Sequence, residues 1–145
     1  MIALLQRVTG AGIVIDGNAT ASIGAGLVAL VAVRPADTEE AGLRLLARIL
    51  HYRLFADHAG KMNYSLVQTA GELLLVPQFT LAADTHKGLR PGFSAAASPS
   101  HGRSMFDALL RAAQQQYGRV ASGVFGAHMQ LSLTNDGPVT LWLES

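Results

Sequence analysis

Apolar positions along this 145-residue chain fall into short runs separated by clusters of Gly, Asn, Asp and Pro. Met1–Val8 is an apolar start. The β-branched run Ile13-Val14-Ile15 leads into Asp16-Gly17-Asn18, a turn, so Ala19–Ile23 returns as the second strand of a hairpin. Leu27–Val33 is apolar at every position, the pattern of a strand covered on both faces. Arg34-Pro35-Ala36 breaks it. Asp37 or Thr38 then caps a helix, with Glu39 and Glu40 in its positive first turn and Leu43, Leu46, Ala47 and Leu50 as its apolar stripe. Tyr52–Phe55 reads as a short strand and Asp57-His58-Ala59-Gly60 as a turn.

Leu73–Leu81 reads as the next strong strand, at an edge or bulged at Pro77, because proline cannot donate to a ladder. Period two then puts Gln78 and Thr80 on one face, Phe79 and Leu81 on the other. Ala82–Ser98 is a long loop of small and polar residues, a length that is often functional. Ser98-Pro99 starts a second helix, with Phe106, Leu109, Leu110 and Ala113 turned inward and Gly118 at its end. Met129–Leu133 alternates as a half-buried strand, Asn135-Asp136-Gly137-Pro138 is a dense turn signal, and Val139–Leu143 closes the chain. The order predicts an α+β single domain over 1–145, a mainly antiparallel, barrel-like sheet core with two helices.

Composition narrows the function classes. Half the residues are hydrophobic and 14% are charged, which excludes a disordered chain and favours a homo-oligomer that hides apolar surface. A net charge of +1 gives no broad basic face, so contact with RNA must be local. The absence of cysteine removes disulfides, thiol nucleophiles and Cys-ligated metals, and fits a reducing compartment. No leader segment is read at the N-terminus. The longest apolar run, Ile23–Val33, is short of the roughly 18 residues that span a membrane.

Candidate chemistry is sparse. No phosphate-binding glycine loop and no Gly-x-Ser-x-Gly elbow is present. The five histidines are scattered without ligand spacing, so no metal is expected. Thr80 is a nucleophile, a hydrogen-bond donor, or an ordinary strand threonine. Gln78 is a site amide or a buried amide with partners. Gly137-Pro138 is a tight turn, or a bare backbone whose cis bond aims two carbonyls one way. Arg90-Pro91-Gly92-Phe93 is an anchored loop or a phosphate and base contact. Ser122–Ala127 is a flexible link, or a glycine-flanked seat for a base on Phe125. Physics alone leaves each pair open, with the plainer reading ahead.

Taken in order, Met1-Ile2-Ala3-Leu4-Leu5-Gln6-Arg7-Val8, Gly60-Lys61-Met62-Asn63, Gln78-Phe79-Thr80-Leu81-Ala82-Ala83-Asp84, Arg90-Pro91-Gly92-Phe93 and Asn135-Asp136-Gly137-Pro138-Val139-Thr140 resemble D-aminoacyl-tRNA deacylase, the D-Tyr-tRNA deacylase family, over essentially the whole chain. The resemblance implies a cytoplasmic homodimer with active sites at the subunit interface. It implies hydrolysis of the ester between a D-amino acid and the 3′ end of tRNA, without cofactor, DNA or membrane, and glycyl-tRNA as a further substrate. By the same resemblance, Gly137 and Pro138 match a Gly-cis-Pro element that enters the partner's site and rejects L-residues. Gln78, Phe79 and Thr80 match the catalytic strand, with backbone amides rather than the Thr80 hydroxyl as the preferred donors. Phe125, Arg90 and Met129 fall where the terminal adenosine and tRNA end are held. Three positions depart from the family pattern: Pro77 and Gly92 where serine is common, and Val124 where arginine is common. The competing expectations are a sister deacylase for L-alanyl-tRNA, an acceptor-end binding module without hydrolysis, and a generic esterase.

Overall fold

The computed structural model describes residues 1–145. Its strands are β1 (Ile2–Ile15), β2 (Asn18–Ile23), β3 (Gly26–Ala32), β4 (Phe55–Ala56), β5 (Met62–Tyr64), β6 (Glu72–Pro77), β7 (Val120–Ser122) and β8 (Gln130–Glu144). Its helices are α1 (Glu39–His51), the single turn α2 (Leu66–Thr69) and α3 (Pro99–Gln116). A 3₁₀ turn covers Phe79–Ala82. The main sheet runs β2-β1-β3-β6-β7, with β8 paired to the other side of β1, and β4-β5 form a separate ribbon. Pairings of β1 with β2, β3 and β8 are antiparallel, whereas β3-β6 and β6-β7 are parallel. Parallel neighbours need crossovers, which α1 and α3 supply.

Both faces of this sheet are covered. Leu27, Ala29 and Val31 of β3 join Leu73 and Leu75 of β6 against α1 and α3 in the larger core cluster. Val28, Leu74 and Val76 point the other way and pack with Val8, Ile13 and Ile23, where the bent sheet folds over itself. The all-apolar β3 follows from this arrangement. β1 is one continuous strand from Ile2, so the apolar start and Ile13-Val14-Ile15 merge. Its first half pairs with β3 and its second with β2, and the hairpin at Asp16-Gly17 forms as expected. No helix is long and apolar enough to cross a membrane.

Several local expectations change. Thr38, not Asp37, caps α1, its hydroxyl accepting from Ala41 N–H at 3.3 Å. Asp37 instead accepts from Arg34 N–H at 2.7 Å and pairs with the Met1 amino group at 2.6 Å. The buried stripe of α1 is Ala41, Gly42, Leu45, Leu46, Ile49 and Leu50, so Leu43 and Ala47 fall outside it. On α3, Met105 and Gly102 are buried with Phe106, Leu109 and Ala113, and Leu110 is only half-buried. The short strand starts at Phe55, beyond the Tyr52 where it was expected. The turn after it is closed by Asp57, which accepts from Ala59 N–H, Lys61 N–H and the Asn63 side chain. These bonds, Asn63 first, hold the Asp57 carboxyl below its ordinary pKa. The Ser98 cap, Pro99 start and Gly118 end of α3 stand as read, Gly118 lying at φ +78°.

Pro77 is the larger correction. β6 is an interior strand, not an edge, and Pro77 is its last residue. In the parallel ladder, Leu73 N–H donates to Arg119 O and Gly123 N–H to Leu75 O. The next rung calls for a donor from residue 77 to Gly123 O. Proline has none, so pairing stops at Ser122, whose hydroxyl donates to Gly123 O at 2.6 Å. Ser122→Ala is therefore expected to cost about 1 kcal/mol of stability. The same change in a Pro77→Ser background, where the backbone donor returns, should cost close to nothing. Chemical denaturation of the two single variants and the double variant measures this coupling, and equal costs in both backgrounds would refute it.

Candidate active site

The segment after β6 is not a strand. Gln78 N–H donates to Val31 O at 2.7 Å, and the chain then leaves β geometry at Gln78 (φ −143°, ψ 74°) for the 3₁₀ turn. With no β7 partner beyond Ser122, nothing holds residues 78–81 extended. Gln78 and Thr80 thus share no strand face. Phe79 is 55% exposed instead of packed inward. The turn leaves the N–H groups of Phe79 and Thr80 without an acceptor in the chain, while that of Gln78 is spent on the sheet. Two adjacent free amides form a donor pair that Gln78 does not join. The Gln78 side-chain amide donates to Thr80 Oγ1 at 2.5 Å. That hydroxyl has no histidine or carboxylate partner, so nothing activates it as a nucleophile.

Beside the turn lies a cleft of about 250 Å³ lined by Pro77, Phe79, Ala97, Pro99, Phe125 and Gly126. A second hollow of about 260 Å³, which shares Pro77, Phe79 and Gly126 with the first, is lined by Gln78, His128 and Met129 among others. Phe125 is held from α3. The Arg103 guanidinium lies 5.0 Å from the ring centroid and donates to Phe125 O at 3.1 Å. Gly102 admits the ring: a Cβ there would stand 3.2 Å from its edge. Met129 accepts from Val124 N–H through sulfur at 3.4 Å, and its sulfur sits where a Cβ on Gly123 would clash at 2.8 Å. Phe93 packs on Phe79 with centroids 5.1 Å apart. Its loop is folded back by an Asp84–Gly92 bridge. His86, first through its backbone and then its side chain, holds the Asp84 carboxyl below its ordinary pKa. Arg90 is exposed on this loop with no hydrogen bond or ion pair of its own. No three His, Asp or Glu side chains lie close enough to hold a metal.

Gln78, Phe79, Thr80, Phe125 and Met129 therefore come together, and Arg90 approaches only through Phe93. Gly137 and Pro138 do not approach. Residues 135–138 are no hairpin turn. β8 runs straight through, and Asp136–Val139 bulge out opposite Arg7 between the pairs Val8–Asn135 and Gln6–Thr140. The Gly137-Pro138 bond is cis, and both residues are exposed. Arg7 anchors the bulge, its Nε bonding Asp136 O at 3.2 Å and pairing with the Asp136 carboxylate at 3.0 Å, while Nη1 donates to Leu54 O at 2.5 Å. Arg7 pairs with Leu27 at the start of β3, whereas Gln78 is tied to Val31 near its end. Along the sheet that is roughly 13 Å lengthwise and about 14 Å across three strand spacings. Arg103 and Gly102 were missed by sequence reasoning because their partner is 22 or more residues away. The available signal was a glycine inside an otherwise regular helix, next to an arginine.

The chain is similar to known proteins over its whole length. Residues 4–144 match the family model described as D-Tyr-tRNA(Tyr) deacylase. D-aminoacyl-tRNA deacylase of Thioalkalivibrio sulfidiphilus is 58% identical over 144 residues, 99% of this chain and 97% of that one. That of Azotobacter vinelandii is 54% identical over the full length of both. A solved structure named c-Myc DNA Unwinding Element Binding Protein superimposes with TM-score 0.95 at 34% identity, covering 100% of this chain and 99% of that one. A probable eukaryotic D-amino acid tRNA deacylase shares the fold at TM-score 0.89 and 18% identity, over 99% and 98% of the two chains. The chain belongs to the D-Tyr-tRNA(Tyr) deacylase family.

Proposed function

We propose that this protein hydrolyses the ester linking a D-amino acid to the 3′ end of tRNA, and that it removes glycine from tRNA by the same route. The observation that carries this reading is the pair of free amides at Phe79 and Thr80, opening beside the Phe125 cleft in a chain of this family. The terminal adenine stacks on Phe125, with Met129 alongside, and the ester carbonyl oxygen faces the two N–H groups. Water attacks the carbonyl carbon, and the amides stabilise the negative charge that develops on oxygen. The ester is already activated, so positioning replaces a covalent intermediate. In this reading the terminal ribose 2′-hydroxyl helps to activate the water. Arg90, exposed on the loop that carries Phe93, is left to contact the RNA strand.

Selection of D over L is assigned to Gly137 and Pro138 of a second copy of this chain. Their exposure, and their distance from Gln78 within one copy, support a site completed by a homodimer. Main-chain carbonyls at the α-carbon leave no room for an L side chain, while glycine passes. The test is release of D-tyrosine, L-tyrosine and glycine from charged tRNA, with and without chelator. Loss of the D-residue and glycine alone, at unchanged rates in chelator, is the expected result. Equal loss of the L-residue would refute the selectivity reading. Binding without any release would leave an acceptor-end binding module.

A further inference from the structure

We infer that Arg103 is the phosphate-contacting residue at the mouth of the Phe125 cleft. The same side chain positions the Phe125 ring. The inference rests on the acceptor-end reading above and adds to it the group that meets the RNA backbone.

Arg103 is exposed on α3 and does not itself line the apolar cleft, but it lies against two residues that do, Phe125 and Gly126. One of its five N–H donors is used, by Phe125 O. Its plane lies over an aromatic face, which attracts a cation without neutralising it. Three of the other arginines are neutralised; Arg48, Arg53, Arg90, Arg111 and Arg119 also lack a carboxylate partner, but none of them faces Phe125. Arg7, Arg34 and Arg44 each have a carboxylate at 3.0, 3.0 and 2.9 Å. Arg103 has none within 4.0 Å, although Asp107 follows one turn later on the same helix. The protein thus keeps one uncompensated guanidinium beside the ring on which a base would stack.

A nucleotide stacked on Phe125 carries its phosphate at the edge of that ring. The remaining donors of Arg103 form a planar fork suited to two phosphate oxygens. Gly102 lets the ring sit this close to the helix, because a Cβ there would press on its edge at 3.2 Å. Val124, the neighbour of Phe125, offers no charge of its own. The cation therefore comes from α3 rather than from the Phe125 loop.

The experiment compares wild type, R103Q and R103K in two assays. One is steady-state deacylation of D-tyrosyl-tRNA, and the other is binding of an uncharged RNA hairpin ending in CCA, each across a salt series. Thermal melts check that the variants are folded. R103Q is expected to raise KM and hairpin Kd about tenfold, the scale of one charge-assisted contact. Its kcat should stay within about twofold, and its log–log salt slope should flatten by about 0.7. R103K should restore the slope but only part of the affinity, since it returns the charge without the plane. Unchanged KM and slope in R103Q, or a loss confined to kcat, would overturn the inference. If wild type itself releases no amino acid, the deacylase reading fails, and the hairpin assay still decides Arg103. Tenfold weaker binding by R103Q with a flatter salt slope upholds its role, and equal binding or an unchanged slope rejects it.

Discussion

Replacing Arg7 by methionine is expected to lower kcat/KM on D-aminoacyl-tRNA by about 10²-fold, the scale of misplacing one reacting group by about 1 Å. The side chain is only 13% exposed, and it ties three things together: β1, the Asp136–Val139 bulge and the Leu54 carbonyl. Methionine keeps the apolar stem and volume but loses every one of those bonds. The bulge then stays attached through Asn135 alone, whose side chain accepts from Val139 N–H at 2.9 Å and donates to Thr140 Oγ1 at 3.1 Å. On the proposed role of Gly137 and Pro138, the partner's site receives a loosened filter, so discrimination against L-tyrosine should fall together with rate. Lysine at position 7 retains charge but lacks the fork that reaches Leu54 and Asp136 at once, and should fall between. Single-turnover deacylation with D- and L-tyrosyl-tRNA measures both effects. Wild-type rate and selectivity in a folded Arg7→Met protein would remove the bulge from the mechanism.

Gly26→Ala should produce the largest loss of stability of any single methyl added to this chain. A Cβ at that position would lie 1.9 Å from Glu72 O and 2.6 Å from Glu72 N. Those atoms are backbone, so no side chain can swing away. Gly71 faces it, and a Cβ there would stand 3.3 Å from both Gly26 Cα and Ala25 O. The first residues of β3 and β6 thus pack main chain on main chain, locked by Glu72 N–H on Ala25 O at 3.0 Å. The expected cost is about 3 kcal/mol or more, read as a drop of roughly 10 °C in melting temperature. Gly17→Ala is the control. It has no heavy atom within 4 Å of the added Cβ, and its penalty comes only from φ +78°. A Gly26→Ala melt indistinguishable from wild type would show that the strand starts can separate at no cost.

Elements fixed by neighbours in the chain were legible in the sequence. The hairpin at Asp16-Gly17 has its turn residues directly after the β-branched run Ile13-Val14-Ile15. The start of α3 is written in the adjacent pair Ser98-Pro99. β3 announced its double burial because all its residues are apolar. Where the deciding partner is remote, the local pattern misled. Phe79, Thr80 and Leu81 favour strands, yet the end of β7 leaves them none to join, and they coil into the turn that frees two amides. Asn135-Asp136-Gly137-Pro138 reads as a turn, but β1 continues alongside and keeps β8 in line, so the excess residues bulge. Leu43 fits a helical stripe by spacing, but α3 and the sheet cover the face centred on Leu45, Leu46 and Ile49. The Phe125 loop was singled out by its glycines. What seats it, Gly102 and Arg103, lies on another element.

The hydroxyl at Ser122 imposes an order on sequence change. Serine at 122 costs nothing while residue 77 can still donate, because Gly123 O accepts either group. Proline at 77 arriving first would strand that carbonyl. The two residues therefore have an accessible mutational path in one direction, serine before proline, and a barrier in the other. Once proline is in place, the serine can no longer drift. A residue that does not line the cleft is thus held fixed by one that does, Pro77.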